Sequence, residues 1–142
     1  MSNDKKNKYN KSYYKKNKDA ISKQKQTYRL SPEGAWVSFK SHRSNHSITK
    51  EQFIDWYIKT PEKCAYCESD FNEVKQFLSK NDIKIRRVSF DIDRKDNKKG
   101  YEISNIVKSC VVCNLHKADF YSYNDFRKVS LKYIKNKIKN LD

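Results

Sequence analysis

The sequence predicts a small α+β domain with flanking helices and a basic N-terminal arm. Three observations support this class. A chain of 142 residues suits one modest domain. Two Cys-x-x-Cys pairs enclose residues 68 to 109, and between them apolar and polar residues alternate as in a β-strand. With 36% hydrophobic and 35% charged residues, the composition is lean for a self-sufficient core, so we expect a further constraint on the fold.

The charge of the chain indicates its partner. Lys plus Arg number 32 and Asp plus Glu 17, a formal net charge of +15. Basic side chains that neutralise phosphates release counterions, so nucleic acid is favoured over an anionic membrane. No run of 18 apolar residues offers a membrane span, and the polar N-terminus lacks the apolar part of a secretory signal. We expect a cytoplasmic protein, and the many Lys and Asn codons suggest an A/T-rich, virus-like genome.

Residues 1 to 30 are predicted to form the basic arm. They contain ten Lys or Arg against two Asp, a net charge of +8, and their larger apolar groups are mostly tyrosine rings. Such a segment buries too little surface to offset its ordering entropy, so we expect it to be flexible or marginally helical alone. Lys15 and Lys16 are predicted to follow a phosphate backbone while the rings stack on bases. A solubilising tail is the alternative.

Two helix starts follow the arm. Ser31-Pro32-Glu33 combines an N-cap, a proline at the first helical position and an acid at the positive end of the helix dipole, and this helix should end near Arg43. Thr49 to Gln52 form a capping box for the second helix. The aromatic residues between positions 36 and 57 are predicted to be core, although they could also serve a dimer interface.

The second half of the chain predicts a helix, a strand–turn–strand unit and two further helices. Asp70 can cap the first helix, and the strand carries Val88, Phe90 and Ile92 opposite polar residues. Gly100 marks the turn, where a positive φ is expected. The remaining elements are a returning segment over 101–109, a short helix over about 113–120 and a final helix over about 123–139 whose apolar stripe extends to Leu141.

The four cysteines are predicted to bind one structural Zn²⁺ ion. Cys64 and Cys67 form the first pair, and Cys110 and Cys113 the second. A reducing compartment disfavours disulfides, and four thiolates suit tetrahedral zinc. A redox pair or buried free thiols are the alternatives. Asp93 at the strand end and Asn114 at a helix start add hard oxygen donors of the kind that Mg²⁺ or a similar divalent ion prefers.

In combination these motifs resemble the zinc-knuckle form of the HNH (ββα-metal) endonuclease family. The resemblance covers roughly residues 48 to 126 and is nearest the Asp-Arg branch, found among phage-type endonucleases and a rare-cutting restriction enzyme. It implies a nuclease domain over 31–142, with the ββα-metal core over about 87–120, that hydrolyses double-stranded DNA. The motifs are Cys64-x-x-Cys67, Asp93-Arg94, Gly100-Tyr101, Asn105 and Cys110-x-x-Cys113-Asn114-x-x-Lys117.

The resemblance also implies roles for the site residues. Asp93 and Asn114 would bind a catalytic Mg²⁺ or Mn²⁺, the cysteines would bind structural zinc, and Asn105 would fix the loop between strand and helix. Lys95 and Lys117 are predicted to contact nucleic acid, with a solvated surface lysine as the alternative for Lys117.

One position departs from the commoner HNH pattern. The residue after the metal-binding Asp is usually a His that acts as general base, and here it is Arg94. A guanidinium has no acceptor and cannot take a proton, so Arg94 is expected to contact the phosphate. Tyr101 is then the first candidate for the base, followed by His116, Asp91 and metal-bound hydroxide.

Two other functions stay open at this point. The missing His favours a non-catalytic zinc module that binds nucleic acid, and an RNA-folding or structural chain is the third possibility. Many nucleases of this family act as homodimers, so a homodimer is a further expectation.

Overall fold

The computed structural model of the chain describes residues 3–84 and 89–140. Two short strands, β1 (Asp91–Arg94) and β2 (Ile106–Ser109), pair in antiparallel fashion with Asp91 opposite Ser109. This two-stranded sheet surrounded by helices confirms the predicted α+β class. The helices are α1 (Asn3–Leu30), α2 (Pro32–His42), α3 (Lys50–Lys59), α4 (Phe71–Lys80), α5 (Val111–Lys117), α6 (Tyr123–Val129) and α7 (Lys135–Lys139), with a 3₁₀ turn at Ile103–Asn105 and a π-helical stretch at Ser130–Ile134.

Local capping signals set the helix starts where they were predicted. The Ser31 hydroxyl accepts a hydrogen bond from the Gly34 N–H. Thr49 and Asp70 each form a complete capping box, at the starts of α3 and α4. Each cap satisfies backbone donors that would otherwise lack a partner.

Three predicted features differ in the structure. Strand β1 begins at Asp91, and the predicted strand residue Val88 lies outside the described residues, as does Leu141. Helix α5 lies earlier than predicted: it begins at Val111, where the Cys110 sulfur caps it, and ends at Lys117, before the positive φ of Ala118. The expected positive φ at Gly100 is wrong. Side-chain bonds close this turn instead: Asp96 accepts from the Lys98 N–H and Asn105 donates to the Gly100 carbonyl.

Two apolar clusters lie against the sheet. The first contains the four cysteines together with Tyr66, Val74, Phe90, Val107, Val111, Phe126 and Ile138. The second contains the predicted core aromatics of α2 and α3, with Ile92 and Ile106 from the strands. The prediction that these aromatics form core is therefore confirmed.

Helix α1 extends over the predicted arm. Its tyrosines at positions 9, 13, 14 and 28 are each more than half exposed, so their rings are accessible to a partner. A side chain at Gly34 would place its Cβ 2.0 Å from the Tyr28 carbonyl oxygen, so glycine is required for the close approach of α2 to the end of α1. The flexibility and the nucleic-acid contacts of the arm stay predictions. No helix in the described ranges is long and apolar enough to cross a membrane.

Candidate active site

The four cysteines form one buried group. Their sulfur atoms all lie within 4.8 Å of one another, none forms a disulfide, and Cys67 Sγ is 3.9 Å from Cys110 Sγ. Tetrahedral zinc, with Zn–S bonds of about 2.3 Å, requires sulfur–sulfur separations of about 3.8 Å. The donor set and its spacing therefore fit a tetrahedral metal ion such as zinc.

This cysteine group joins three parts of the chain. The Cys64–Cys67 turn follows α3, and the Ala65 N–H donates to the Lys108 carbonyl on β2. Cys110 precedes α5, where its sulfur accepts from the Cys113 N–H. Hydrogen bonds from Cys110 and Cys113 lower the pKa of Cys64, while hydrogen bonding with Cys110 raises the pKa of Cys113. The opposite pKa shifts mean that the four thiols do not ionise independently, as expected of groups close enough to bind one cation.

A cluster of oxygen donors lies on one face of β1. Asp91 and Asp93 are two residues apart and so face the same side of the strand. Asn114, in the first turns of α5, donates from Nδ2 to Asp91 Oδ2 at 3.0 Å. This bond leaves the Asn114 amide oxygen available to a cation. Asn114 is thus hydrogen-bonded to Asp91, and Asp93 lies two residues further along the same face of β1. The binding of one cation by Asp93 and Asn114 stays a prediction.

Tyr66 is the site residue that the sequence reasoning missed. It is fully buried, and its hydroxyl donates to Asp93 Oδ2 at 2.6 Å. Burial, together with this hydrogen bond, raises the pKa of Tyr66. Its position between Cys64 and Cys67 was the available signal, because a metal group holds the residues inside its own turn rigidly.

Lys117 lies inside the site and not on the surface. Its side chain is 1% exposed, and Nζ lies 3.3 Å from Asp93 Oδ2 and 2.9 Å from the Arg94 carbonyl oxygen. The alternative of a solvated surface lysine is therefore wrong. A direct phosphate contact by Lys117 stays a prediction, and it would require the ion pair with Asp93 to open.

Arg94 and Tyr101 lie together, on the other side of the strand from Asp93. The Arg94 guanidinium carbon is 5.0 Å from the centre of the Tyr101 ring, and Nη1 donates to the Lys99 carbonyl. The tyrosine in contact with Asp93 is thus Tyr66 and not the predicted Tyr101. The prediction that Tyr101 acts as a base is not tested by this placement.

The remaining predicted residues surround this centre. Asn105 is buried and hydrogen-bonds the backbone at Asp96 and Gly100, so it fixes the β1–β2 loop in position. Lys95 donates to the Ser104 carbonyl, and His116 is exposed with its ring against the backbone of its own helix. Lys15 and Lys16 are exposed on α1.

Fold and site together define an HNH-like architecture: two antiparallel strands and a helix beside a four-cysteine group. Comparison with solved structures supports this class. The chain is similar to the rare-cutting HNH restriction endonuclease PacI, with a TM-score of 0.52 and 23% sequence identity over 72% of this chain and 71% of that chain. At this identity the likeness shows the fold alone. No family model and no curated protein matches the sequence.

Proposed function

We propose that the chain is a metal-dependent HNH endonuclease of the Asp-Arg branch that hydrolyses phosphodiester bonds of double-stranded DNA. The observation that carries the proposal is the cluster of Asp91, Asp93 and Asn114 on a strand–helix unit next to the four-cysteine group. The net charge of +15 supports a polyanionic substrate.

The donor atoms fit two different metals. The cysteines would hold a structural Zn²⁺, because thiolates are its preferred ligands. Asp93 and Asn114 would hold Mg²⁺ or Mn²⁺, which prefer oxygen. Such an ion, when bound, polarises the phosphate and stabilises the leaving oxygen. Asp91 orients Asn114 by accepting from its Nδ2, and outer contacts of this kind fix metal ligands in place.

The other side chains have distinct roles in this proposal. Arg94 contacts the scissile phosphate through its planar set of donors. Tyr66 positions Asp93, because its buried hydroxyl donates to Oδ2 and its raised pKa makes it a poor proton acceptor. Tyr101 stays the first candidate for the base. Asn105 holds the β1–β2 loop in place for the reaction.

A non-catalytic zinc module that binds nucleic acid is the second candidate. Two observations favour it: Arg94 occupies the position of the usual general base, and the Lys117 ammonium is paired with the Asp93 carboxylate. This pairing supplies a positive charge at the place where a catalytic cation would bind. A homodimer, expected from the resemblance, belongs to either candidate.

Cleavage of plasmid DNA separates the two functions. The purified chain is incubated with supercoiled plasmid and Mg²⁺ or Mn²⁺. We expect nicked and linear products, and we expect Asp93→Ala and Asn114→Ala to abolish them. Asp55→Ala is the matched control, because Asp55 is an exposed acid on α3. Tight binding of the plasmid without cuts in either metal would support the non-catalytic module.

A further inference from the structure

A basic cleft lies beside Tyr101. It has a volume of about 920 Å³ and is bounded by α1, α2 and β1. This volume is within the range of ~300–1,000 Å³ that is usual for ligand sites. The charged residues that line it are the basic Lys25, Arg29 and Arg43 and the acidic Asp91. Three cations against one carboxylate give the cleft a net positive charge.

Arg43 is held rigidly at one wall of this cleft. Its Nη2 donates to the Ile92 carbonyl oxygen at 2.8 Å, and its guanidinium carbon lies 5.4 Å from the Phe39 ring centre and 5.0 Å from that of Tyr101. Nε is buried and has no hydrogen-bond partner among the described residues. A guanidinium has five N–H donors, and the described part of the protein uses one of them here.

A second guanidinium contacts the same tyrosine ring. Arg94 and Arg43 each lie 5.0 Å from the centre of Tyr101. Neither is paired with a carboxylate within residues 3–84 and 89–140. Each guanidinium therefore lacks a charge partner among the described residues, and an anion bound beside it would supply one.

We propose that Arg43, with Tyr101 and the basic cleft, forms a second phosphate-binding subsite for the DNA strand. Arg94 contacts the phosphate at the cut, and Arg43 binds another phosphate of the same strand where that strand enters the cleft beneath Lys25 and Arg29 of α1. The subsite positions the backbone and carries no sequence information. The identity of the ligand as DNA rests on the proposed function, whereas the requirement for an anion rests on the arginine pair.

The test measures binding and does not depend on cleavage. Affinity for a short DNA duplex is measured without added divalent metal between 50 and 200 mM salt, conditions over which phosphate contacts weaken strongly. Arg43→Met retains the apolar part of the side chain. We expect its affinity to fall by at least about fivefold, and the salt slope to decrease by about 1. Lys40→Met, which removes one charge from the exposed part of α2 outside the cleft, should change affinity less than about twofold.

Equal affinities and equal salt slopes for Arg43→Met and Lys40→Met would overturn the proposal. If Arg43→Met does not fold, Arg43→Lys replaces it: this variant keeps the charge but loses the planar donors, and wild-type binding by it would overturn the proposal in the same way. A variant defective only with single-stranded RNA would overturn the assignment to DNA. Binding that depends on Arg43 but is not followed by cleavage would contradict the proposed endonuclease function and would still support the proposed phosphate-binding subsite.

Discussion

The two faces of β1 carry side chains of opposite charge. On the Asp93 face, each charged group has a partner: Asp93 meets Tyr66 and Lys117, and Asp91 meets Asn114. On the other face, Arg94 and Arg43 lie against Tyr101 without an acid among the described residues. Consecutive residues of one strand thus separate an acidic group from a basic one. Under the proposed function, the acidic face would hold a cation and the basic face would receive an anion.

Loss of the proposed zinc ion should have the largest effect, because the four cysteines that would hold it lie on both sides of the strands in the sequence. We expect a zinc chelator, or Cys67→Ser, to unfold the domain, since metal binding to such sites contributes on the order of 10 kcal/mol. Circular dichroism with and without restored zinc measures this. An unchanged spectrum and unchanged melting after the metal is removed would show that the cysteines need no ion.

Substitution of Tyr66 and of Tyr101 should affect the cleavage rate to different extents, because each tyrosine lies on a different face of β1. Tyr66→Phe should lower the cleavage rate by on the order of tenfold, because Asp93 loses the hydrogen bond that orients it. Tyr101→Phe keeps the ring that contacts both arginines but removes the hydroxyl of the first candidate for the base, so it should lower the rate by on the order of 10²-fold or more. Single-turnover cleavage measures both variants. A Tyr101→Phe variant that retains the full rate would eliminate Tyr101 as the base.

Lys108 and Lys117 are both buried, and their substitutions should differ in how Mn²⁺ affects the stability of the protein. Lys108 is fully buried in β2 and donates to the Tyr57 and Thr60 carbonyls at the end of α3. Lys108→Met leaves these acceptors unpaired and should reduce the free energy of unfolding by about 2 kcal/mol. Lys117→Met should also destabilise the metal-free protein, but Mn²⁺ should recover its stability, because the cation replaces the lost partner of Asp93. Denaturant unfolding with and without Mn²⁺ distinguishes the two variants. Equal recovery of stability by Mn²⁺ in Lys108→Met and Lys117→Met would contradict the prediction.

The smallest effect is expected at a partly exposed ion pair away from both faces. Glu68 pairs with Arg127 and Lys135, which join the first cysteine turn to the C-terminal helices. Glu68→Gln should reduce stability by about 1 kcal/mol, because such pairs are screened by solvent. Asp55→Asn, in an exposed pair on α3, is the control and should have less effect. Thermal melting measures both, and a larger loss at Asp55 would contradict the ranking.

Local signals predicted much of the fold. The caps at Ser31, Thr49 and Asp70 depend on neighbouring residues only. The spacing of the two cysteine pairs likewise predicted that the four thiols lie together. Contacts between distant segments could not be predicted in this way. Tyr66 contacts Asp93 although the two residues are 27 positions apart in the sequence. Lys117 is buried against the end of β1, and no sequence pattern predicts this contact. At Gly100, side-chain hydrogen bonds replaced the backbone conformation that the turn sequence suggested.

The most direct test of the account is anomalous diffraction from crystals of the protein soaked in Mn²⁺. The account predicts a zinc signal within the four cysteines and a manganese signal at oxygen-ligand distances of about 2.0–2.6 Å from Asp93 and Asn114, with the Lys117 ammonium displaced from Asp93. A structure in which manganese is absent from this cluster, and Lys117 still pairs with Asp93, would contradict it.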